Sequence, residues 1–237
     1  MMRLDKMLAD MGIGTRNEIR KACRDGRITV NGVIAKNPAV HVDPDQDAVT
    51  VDEEPVRYTK YVYFMLNKPQ GVVSAVSDSR MTVIDLIDSG VRGLYPVGRL
   101  DRDTEGLLLI TNDGPLGHQL LSPKHHVEKE YLVTVKNPLK ESDVQRIRDG
   151  IVIDGGETCL PADMRILDPH TCRITLTEGK YHQVKRMMIA LDNEVIGLKR
   201  IRMKHLLLDE TLKPGEYREL TEEELRDLRE SEPSVSE

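Results

Sequence analysis

A charged loop that precedes an apolar strand holds the residues best suited to chemistry. The segment GRLDRDTEGLLLITNDG, residues 98–114, places Asp101, Asp103 and Glu105 in front of the run LLLIT. Catalytic and binding residues are concentrated on loops that a rigid scaffold positions. Acidic groups at this spacing suggest two kinds of site, a calcium loop or a pair of glycosidase carboxylates.

The neighbouring residues argue against both of these sites. A calcium loop of the EF-hand type needs a bidentate Glu where Asn112 stands, and residues 107–111 are LLLIT. Carboxylates two positions apart along the chain, such as Asp101 and Asp103, rarely face each other across a sugar. A calcium-binding regulatory module remains as an alternative that calorimetry with calcium tests.

The composition excludes several other classes of protein. A chain of 237 residues can form two domains, each with its own core. Charged residues interrupt every apolar run near the N-terminus, so neither a signal peptide nor a membrane-spanning helix is predicted. Cys23, Cys159 and Cys172 are widely spaced, and no glycine-rich nucleotide motif occurs. We therefore expect a cytoplasmic protein with buried cysteines, no metal and no bound cofactor.

The net charge of −6 hides an uneven distribution. Residues 221–237 contain seven acidic side chains and two arginines, whereas residues 1–38 contain eight basic and four acidic ones. Because the negative total comes mainly from the C-terminal tail, it does not argue against a nucleic-acid partner. The basic N-terminal segment favours one.

The N-terminal segment is predicted to form a small helix-turn-strand module. RLDKMLADMG predicts one helix, and TRNE is a capping box from Thr15 that begins a second helix, which Gly26 ends. Asn31 and Gly32 form a strong hairpin signal between two β-runs, and DAVTVDEE supplies another strand. The polar stretch 53–60 is the predicted linker to the rest of the chain.

The remainder of the chain mixes strand and helix patterns. The runs YVYFMLN, GLLLITN, KEYLVTV and CRITLTE predict strands, while MTVIDLIDSG, ESDVQRIRDG and QVKRMMIALDNE predict helices. This mixture predicts an α+β fold, in which helices flank a mixed and mainly antiparallel sheet.

A row of arginines covers one face of the second predicted helix. Arg16, Arg20, Arg24 and Arg27 recur every three or four residues, and a solvated helix surface is the simplest explanation. However, RLDKMLADMGIGTRNEIRKACRDGRITVNG and the closing VTVD, about residues 2–52, resemble the RNA-binding module of ribosomal protein S-four. The resemblance implies phosphate contacts by Arg3, Arg16, Arg20, Lys21, Arg24 and Arg27.

Four ordered segments resemble the signature of RNA pseudouridine synthases of the RsuA branch. FMLNKPQGVVS, residues 64–74, is similar to the first family motif, GRLDRDTEGLLLITNDG to the second, and EGKYHQVKRM, residues 178–187, to the third. SPKHHVEKEYLV, residues 122–133, resembles the segment that contains the family's tyrosine. The similarity spans nearly the whole chain, and ordered motifs at these spacings are far more specific than one short pattern.

This resemblance implies roles for individual residues. Asp101 becomes the nucleophile, which adds to the base or the ribose while uridine exchanges its N-glycosidic bond for a carbon link. Lys185 takes the position of the basic partner of this aspartate, and Arg186 is a second candidate for that position. Tyr131 corresponds to the tyrosine that lies against the target base. The side chains expected to bind the RNA backbone around a flipped uridine are Arg99, Arg102 and Arg186, while Lys68, Pro69 and Gly71 are expected to be structural.

These assignments predict an RNA-binding domain over residues 1–58, a pseudouridine synthase domain over 59–230 and a disordered tail over 231–237. The implied substrate is a uridine in 16S small-subunit ribosomal RNA, either free or in a small-subunit assembly intermediate, and we expect a monomeric enzyme. Two alternatives stay open: a sister branch that acts on 23S ribosomal RNA, and a non-catalytic RNA-binding protein of ribosome assembly.

Overall fold

Two short helices begin where the sequence places their capping residues. The computed structural model describes residues 1–230, and in it α1 spans Leu4–Asp10 and α2 spans Arg16–Arg24. The predicted capping box is confirmed, because the Thr15 hydroxyl accepts from the backbone N–H of Glu18 and the Glu18 carboxylate accepts from that of Thr15. The core beneath the helices is formed by Leu4, Met7, Leu8, Ile19, Cys23, Ile28, Val42 and Val49.

Short strands complete the N-terminal part of the fold. They are β1 (Met2–Arg3), β2 (Ile28–Val30), β3 (Val33–Ile34), β4 (His41–Val42), β5 (Val49–Val51) and β6 (Glu54–Val56). β1 pairs with β4, and the other four strands form an antiparallel sheet in the order β3-β2-β5-β6. The hairpin predicted at Asn31 and Gly32 is confirmed, since both residues have positive φ angles, of 51° and 78°.

The linker predicted over residues 53–60 is wrong in its first half. Glu54–Val56 form β6, which pairs with β5 after a tight turn at Asp52 and Glu53, whose φ angles are 51° and 71°. Pro55 is tolerated because β6 is an edge strand of its sheet, where a missing N–H leaves no neighbouring strand unpaired.

The contacts divide the chain into two units. The first contains residues 1–62 together with 88–94, and the second contains residues 63–87 and the described chain from residue 95 onward. The predicted boundary after residue 58 stays a prediction. The predicted tail, residues 231–237, lies outside the described residues.

The second unit is built on a nine-stranded sheet. Its main strands follow the order β13-β14-β10-β15-β9-β7-β17, with β8 paired to β9 and β16 paired to β15. A separate pair consists of β11 and β12. The strands are β7 (Tyr63–Lys68), β8 (Tyr95–Pro96), β9 (Glu105–Thr111), β10 (Lys129–Val135), β11 (Val152–Ile153), β12 (Glu157–Thr158), β13 (Asp163–Asp168), β14 (Thr171–Leu176), β15 (Val195–Met203), β16 (Leu206–Leu207) and β17 (Tyr217–Glu219). Because β9 and β15 are parallel and the other strand pairs of this sheet are antiparallel, the predicted α+β fold with a mainly antiparallel mixed sheet is confirmed.

Four α-helices accompany this sheet: α3 (Gly114–Leu121), α4 (Glu141–Arg148), α5 (Gln183–Ala190) and α6 (Glu222–Arg229). The helices predicted at ESDVQRIRDG and QVKRMMIALDNE are confirmed as α4 and α5. None of the helices found within residues 1–230 is long and apolar enough to cross a membrane.

The helix predicted at MTVIDLIDSG is wrong. The backbone N–H of Val83 donates to the carbonyl of Val73, and Thr82 forms a bridge with the same residue. The Asp85 carboxylate accepts from the backbone N–H and the hydroxyl of Thr82 in a local turn. The apolar spacing therefore reflects buried side chains on an irregular segment, whose backbone groups bond to the preceding loop instead of forming helical turns.

The contact between β9 and β15 requires a glycine. Gly106 lies opposite Arg200 in the parallel register, with a φ angle of 101°. A Cβ atom on Gly106 would lie 2.3 Å from the carbonyl oxygen of Arg200, which is far inside van der Waals contact. The glycine therefore lets β9, which follows the acidic loop, approach β15.

A buried lysine ties the acidic loop to β7. Lys68 is fully buried, and its Nζ donates to the carbonyl oxygens of Pro69, Asp101, Arg102 and Thr104 at 3.0, 3.1, 3.4 and 2.9 Å. Burial lowers the pKa of Lys68 to about 8, opposed by nearby carboxylates. The ammonium form therefore prevails at neutral pH, and it fixes the backbone of residues 101–104.

We expect Lys68→Met to lower the free energy of unfolding by about 2 to 4 kcal/mol, because it leaves buried carbonyl groups without their donor. Chemical denaturation followed by circular dichroism measures this change. Lys136→Met is the control, since it removes only a surface ion pair with Glu194 and should cost less than about 1 kcal/mol. Equal losses in the two variants would contradict the role given to Lys68.

Candidate active site

The loop that carries Asp101 is held by the segment following β7. The Ser74 hydroxyl donates to the carbonyl of Leu100 at 2.8 Å and accepts from its N–H at 3.1 Å. The N–H of Gly71 donates to the carbonyl of Arg102 at 2.7 Å. Together with Lys68, these bonds give the first motif a structural function, as the sequence analysis expected of Lys68 and Gly71. The result is a loop with a fixed backbone, from which the side chain of Asp101 projects.

Lys185 reaches Asp101 because α5 turns its apolar face inward. Val184, Met187 and Met188 are buried, so the intervening Lys185 lies on the flank of the helix. Its Nζ is 3.1 Å from Oδ2 of Asp101 and 2.6 Å from Oδ1 of Asp103. The structure thus brings together the two residues that the sequence analysis paired, and it adds Asp103 to the same ion-pair cluster.

The charges of this cluster stabilise one another. Burial alone would lower the pKa of Lys185, but hydrogen bonds to Asp103 and Asp101 outweigh burial and raise the pKa above its ordinary value. The same ammonium lowers the pKa of the Asp103 carboxyl. Lys185 therefore stays positive across the physiological pH range and favours the ionised form of Asp103.

His182 is a further neighbour of Asp101. It adopts a left-handed conformation just before α5, with a φ angle of 48°, and its Nε2 lies 3.5 Å from Oδ1 of Asp101. The exposed ring of Tyr181 stacks against the imidazole, with ring centroids 3.8 Å apart. Asp101 therefore has the Lys185 ammonium beside one carboxylate oxygen and the His182 imidazole near the other.

A cleft of about 860 Å³ opens beside Asp101. Tyr131 borders this cleft from β10, where it shares a strand face with the buried Val133 and Val135 and packs against the core. Arg99 and Arg102 are exposed and line the same cleft. The volume lies within the range of small-molecule binding pockets. The cleft thus offers a flat ring, a carboxylate and several cations to one bound group.

Arg186 forms ion pairs with acidic residues other than Asp101 and Asp103. Its guanidinium pairs with Asp154 and Glu157 and donates to the carbonyl of Tyr181. The geometry does not support the prediction that Arg186 is a second partner of Asp101. Consecutive residues of a helix point about 100° apart, so Lys185 and Arg186 serve different neighbours.

The basic residues of the N-terminal unit lie on its surface. Arg3 pairs with Asp5, and Arg27 pairs with Asp52. The other four candidates are exposed on α2, and they are Arg16, Arg20, Lys21 and Arg24. The opposite face of the helix is buried in the core, so these cations are displayed together toward solvent.

The acidic loop does not resemble a calcium site. The Lys185 ammonium occupies oxygens of both Asp101 and Asp103, and a metal ion would have to compete with it. Within residues 1–230 no group of three or more His, Cys, Asp or Glu side chains is arranged to hold a metal.

Four residues of the site were not predicted from the sequence: His182, Ser74, Lys129 and Arg200. His182 lies inside the third motif, three residues before Lys185, so its sequence position was a signal. Lys129 and Arg200 lie on neighbouring strands and line the cleft. Their proximity arises from the pairing of β10 with β15, which the sequence patterns did not predict.

Two family models match this chain. The RNA pseudouridylate synthase model matches residues 62–190, which is more than half of the sequence, and the S4 domain model matches residues 2–49. The first match contains Asp101, Tyr131 and Lys185, and the second contains the arginine face of α2.

Whole-length relatives agree with these matches. An uncharacterised RNA pseudouridine synthase of Bacillus subtilis, YtzG, is 49% identical over 236 residues, covering 97% of this chain and 99% of the relative. Proteins named ribosomal small subunit pseudouridine synthase A are 42% identical in Haemophilus influenzae, covering 96% and 99%, and 41% identical in Escherichia coli, covering 94% and 98%. A crystal structure of a pseudouridylate synthase superposes with a TM-score of 0.68 at 41% identity, covering 96% of this chain and all of the other. The chain therefore belongs to the RNA pseudouridylate synthase family, as an RNA pseudouridine synthase with an N-terminal S4 domain.

Proposed function

We propose that this enzyme isomerises a specific uridine of 16S small-subunit ribosomal RNA, with Asp101 as its nucleophile. In this reaction the bond between C1′ of the ribose and N1 of uracil breaks, and a bond between C1′ and C5 forms. N1 gains a proton and C5 loses one, so the product is an isomer. The observation that carries the proposal is the Asp101 carboxylate, held 3.1 Å from the Lys185 ammonium in a cleft.

The neighbours of Asp101 suit a reversible covalent step. A carboxylate attacks in its ionised form, which an adjacent cation favours. It must also leave again, and the same ion pair stabilises the carboxylate that is released. Tyr131 offers an aromatic face along the cleft, which suits contact with a uracil ring. Arg99 and Arg102 suit contact with the phosphates around a flipped nucleotide.

The choice of ribosomal substrate is supported by the relatives. Two of them, at 42% and 41% identity, are named for the ribosomal small subunit. We propose the same class of substrate here, free or within a small-subunit assembly intermediate, for a monomeric enzyme acting in the cytoplasm. The RNA-binding part is proposed to span residues 1–58 and the catalytic part 59–230.

The experiment that tests the substrate treats 16S and 23S ribosomal RNA transcripts separately with purified enzyme and maps pseudouridine by carbodiimide labelling and primer extension. We expect one new stop, on 16S RNA. A stop confined to 23S RNA would indicate that the enzyme belongs to the sister branch that acts on 23S RNA. If neither RNA reacts, the assay is repeated on small-subunit particles prepared from cells that lack the gene. Inactivity on those particles as well would favour a non-catalytic binder.

Asp101→Asn should abolish pseudouridine formation, by at least about 10³-fold, because the amide cannot act as a nucleophile. RNA affinity should change little, since the amide has the same shape. Asp103→Asn is the matched control, because Asp103 also pairs with Lys185 yet is 71% exposed. We expect that variant to keep activity within about tenfold of wild type. Single-turnover assays on the mapped RNA measure both, and comparable losses would contradict the assignment.

Lys185→Met should lower the rate of pseudouridine formation by about 10²-fold, because the Asp101 carboxylate then lacks the ammonium group that stabilises its negative charge when it leaves again. Lys185→Arg keeps the positive charge and should retain most of the activity. Single-turnover assays on the mapped RNA measure both variants. Equal rates for the Met variant and wild type would rule out an electrostatic role for Lys185.

The exposed cations of α2 are proposed to bind RNA phosphates. Neutralising Arg16, Arg20 and Arg24 to Gln should weaken RNA binding and lower the slope of log affinity against log salt by about 2 to 3. A control triple substitution to Gln uses the exposed Lys136, Lys140 and Lys213. Filter binding at several salt concentrations gives the slopes, and equal slopes for the two triple variants would reject this surface.

A further inference from the structure

Two cations of the cleft have an unusual environment. Lys129 begins β10 and Arg200 lies on the adjacent β15, opposite Tyr131. Both residues line the cleft that contains Asp101. The proposed mechanism uses neither of them.

The buried charge of Arg200 has no carboxylate partner among the described residues, and one of its nitrogen atoms has no hydrogen-bond acceptor. Its side chain is 2% exposed, and its Nε donates to the carbonyl of Leu107 at 2.8 Å. Its Nη2 is buried and has no hydrogen-bond partner among the described residues. No carboxylate within residues 1–230 forms an ion pair with this guanidinium. An uncompensated charge of this kind is costly to bury, so it points to an anion that the free protein lacks.

Lys129 is a second cation of the cleft without a carboxylate partner among the described residues. Its Nζ donates to the carbonyl of Val127 at 2.7 Å, and no carboxylate of the described chain pairs with it. Burial, and then the charge of Arg200, lower the pKa of Lys129 to about 8. The ammonium form is therefore held at a cost that a nearby negative charge would remove.

Several other buried or partly buried cations of this unit have carboxylate or carbonyl partners. Arg202 pairs with Glu128 and Glu130, and Arg218 pairs with Asp209 and Glu224. Lys204 is buried like Lys68, and it donates to the carbonyls of Asp227, Leu228 and Glu230. Lys129 and Arg200 differ from these cations, because each has one carbonyl acceptor and no carboxylate partner among the described residues, and their like charges repel each other.

We propose that Lys129 binds a phosphate of the RNA strand beside the target uridine, with Arg200 as a fixed positive charge behind it. This inference rests on the proposed function, since it places the phosphate in the cleft of Asp101. A phosphate suits the pair because it carries the negative charge that both cations lack, whereas uracil is neutral. The two cations also offset the repulsion between that phosphate and the Asp101 carboxylate.

The test compares the salt dependence of RNA binding in variants of the full chain. Lys129→Gln removes the charge, Lys129→Arg keeps it, and Lys213→Gln removes an exposed charge that does not line the cleft. Each phosphate that a cation neutralises contributes about 0.7 to 0.9 to the slope of log affinity against log salt. We expect the slope to fall by this amount in Lys129→Gln and to match wild type in the other two variants.

An unchanged slope in Lys129→Gln would overturn the inference, even if activity fell, because a contact with a base changes affinity without releasing counterions. Thermal unfolding checks that Lys129→Gln folds. If it does not fold, Lys129→Met, which keeps the aliphatic stem, replaces it in the same measurement of salt dependence. Pseudouridine formation by wild type on the same RNA separates the two claims. Active wild type with an unchanged slope contradicts only the phosphate contact, whereas wild type that is inactive on both transcripts and on the small-subunit particles contradicts the proposed function.

Discussion

The ammonium group of Lys68 holds the backbone on which the active site depends. Placing a charge in the interior is unfavourable unless hydrogen bonds replace its water shell, and here four carbonyl oxygens do so. Three of these four oxygens belong to residues 101–104. The loop that carries the nucleophile therefore supplies most of the hydrogen-bond acceptors of the buried lysine. Loops usually tolerate movement, yet a misplacement of about 1 Å costs an enzyme much of its rate. A buried cation supplies rigidity to a segment without regular secondary structure.

The electrostatics of the cleft follow from this fixed carboxylate. Asp101 is flanked by the ammonium of Lys185 and the imidazole of His182, while Asp103 balances the ammonium from the solvent side. The other charged residues that line the cleft are mainly positive, with Arg99, Arg102, Lys129 and Arg200 among them against Glu178. A carboxylate alone would repel a polyanion, so an aspartate nucleophile for RNA needs this excess of cations around it. A net charge of −6 for the whole chain is compatible with that need, since local fields decide binding.

The sheet brings these groups together from distant parts of the sequence. β9 follows the Asp101 loop, β10 carries Lys129 and Tyr131, and β15 lies between them with Arg200. The parallel contact at Gly106 and Arg200 joins the β9 half of the sheet to the β10 half, and only a glycine permits the close approach. α5 then packs its apolar face on the core and directs Lys185 at the loop. The position of each of these side chains therefore follows from the packing of the strand or helix that carries it.

The sequence by itself determined the local elements and the chemistry of the main residues. Capping at Thr15, the Asn31 and Gly32 turn and the apolar strand after Asp101 are short-range effects, and ordered motifs identified Asp101, Tyr131 and Lys185 through resemblance. Tertiary structure decided what depends on partners distant in sequence. Residues 81–90 do not form the predicted helix, because backbone groups of this segment hydrogen-bond to the preceding loop. Glu54–Val56 form a strand because they pair with β5. Arg186 pairs with Asp154 instead of Asp101, His182 lies beside Asp101, and Lys129 lines the same cleft as Arg200. These neighbours are set by strand register and helix packing, which no local sequence pattern contains.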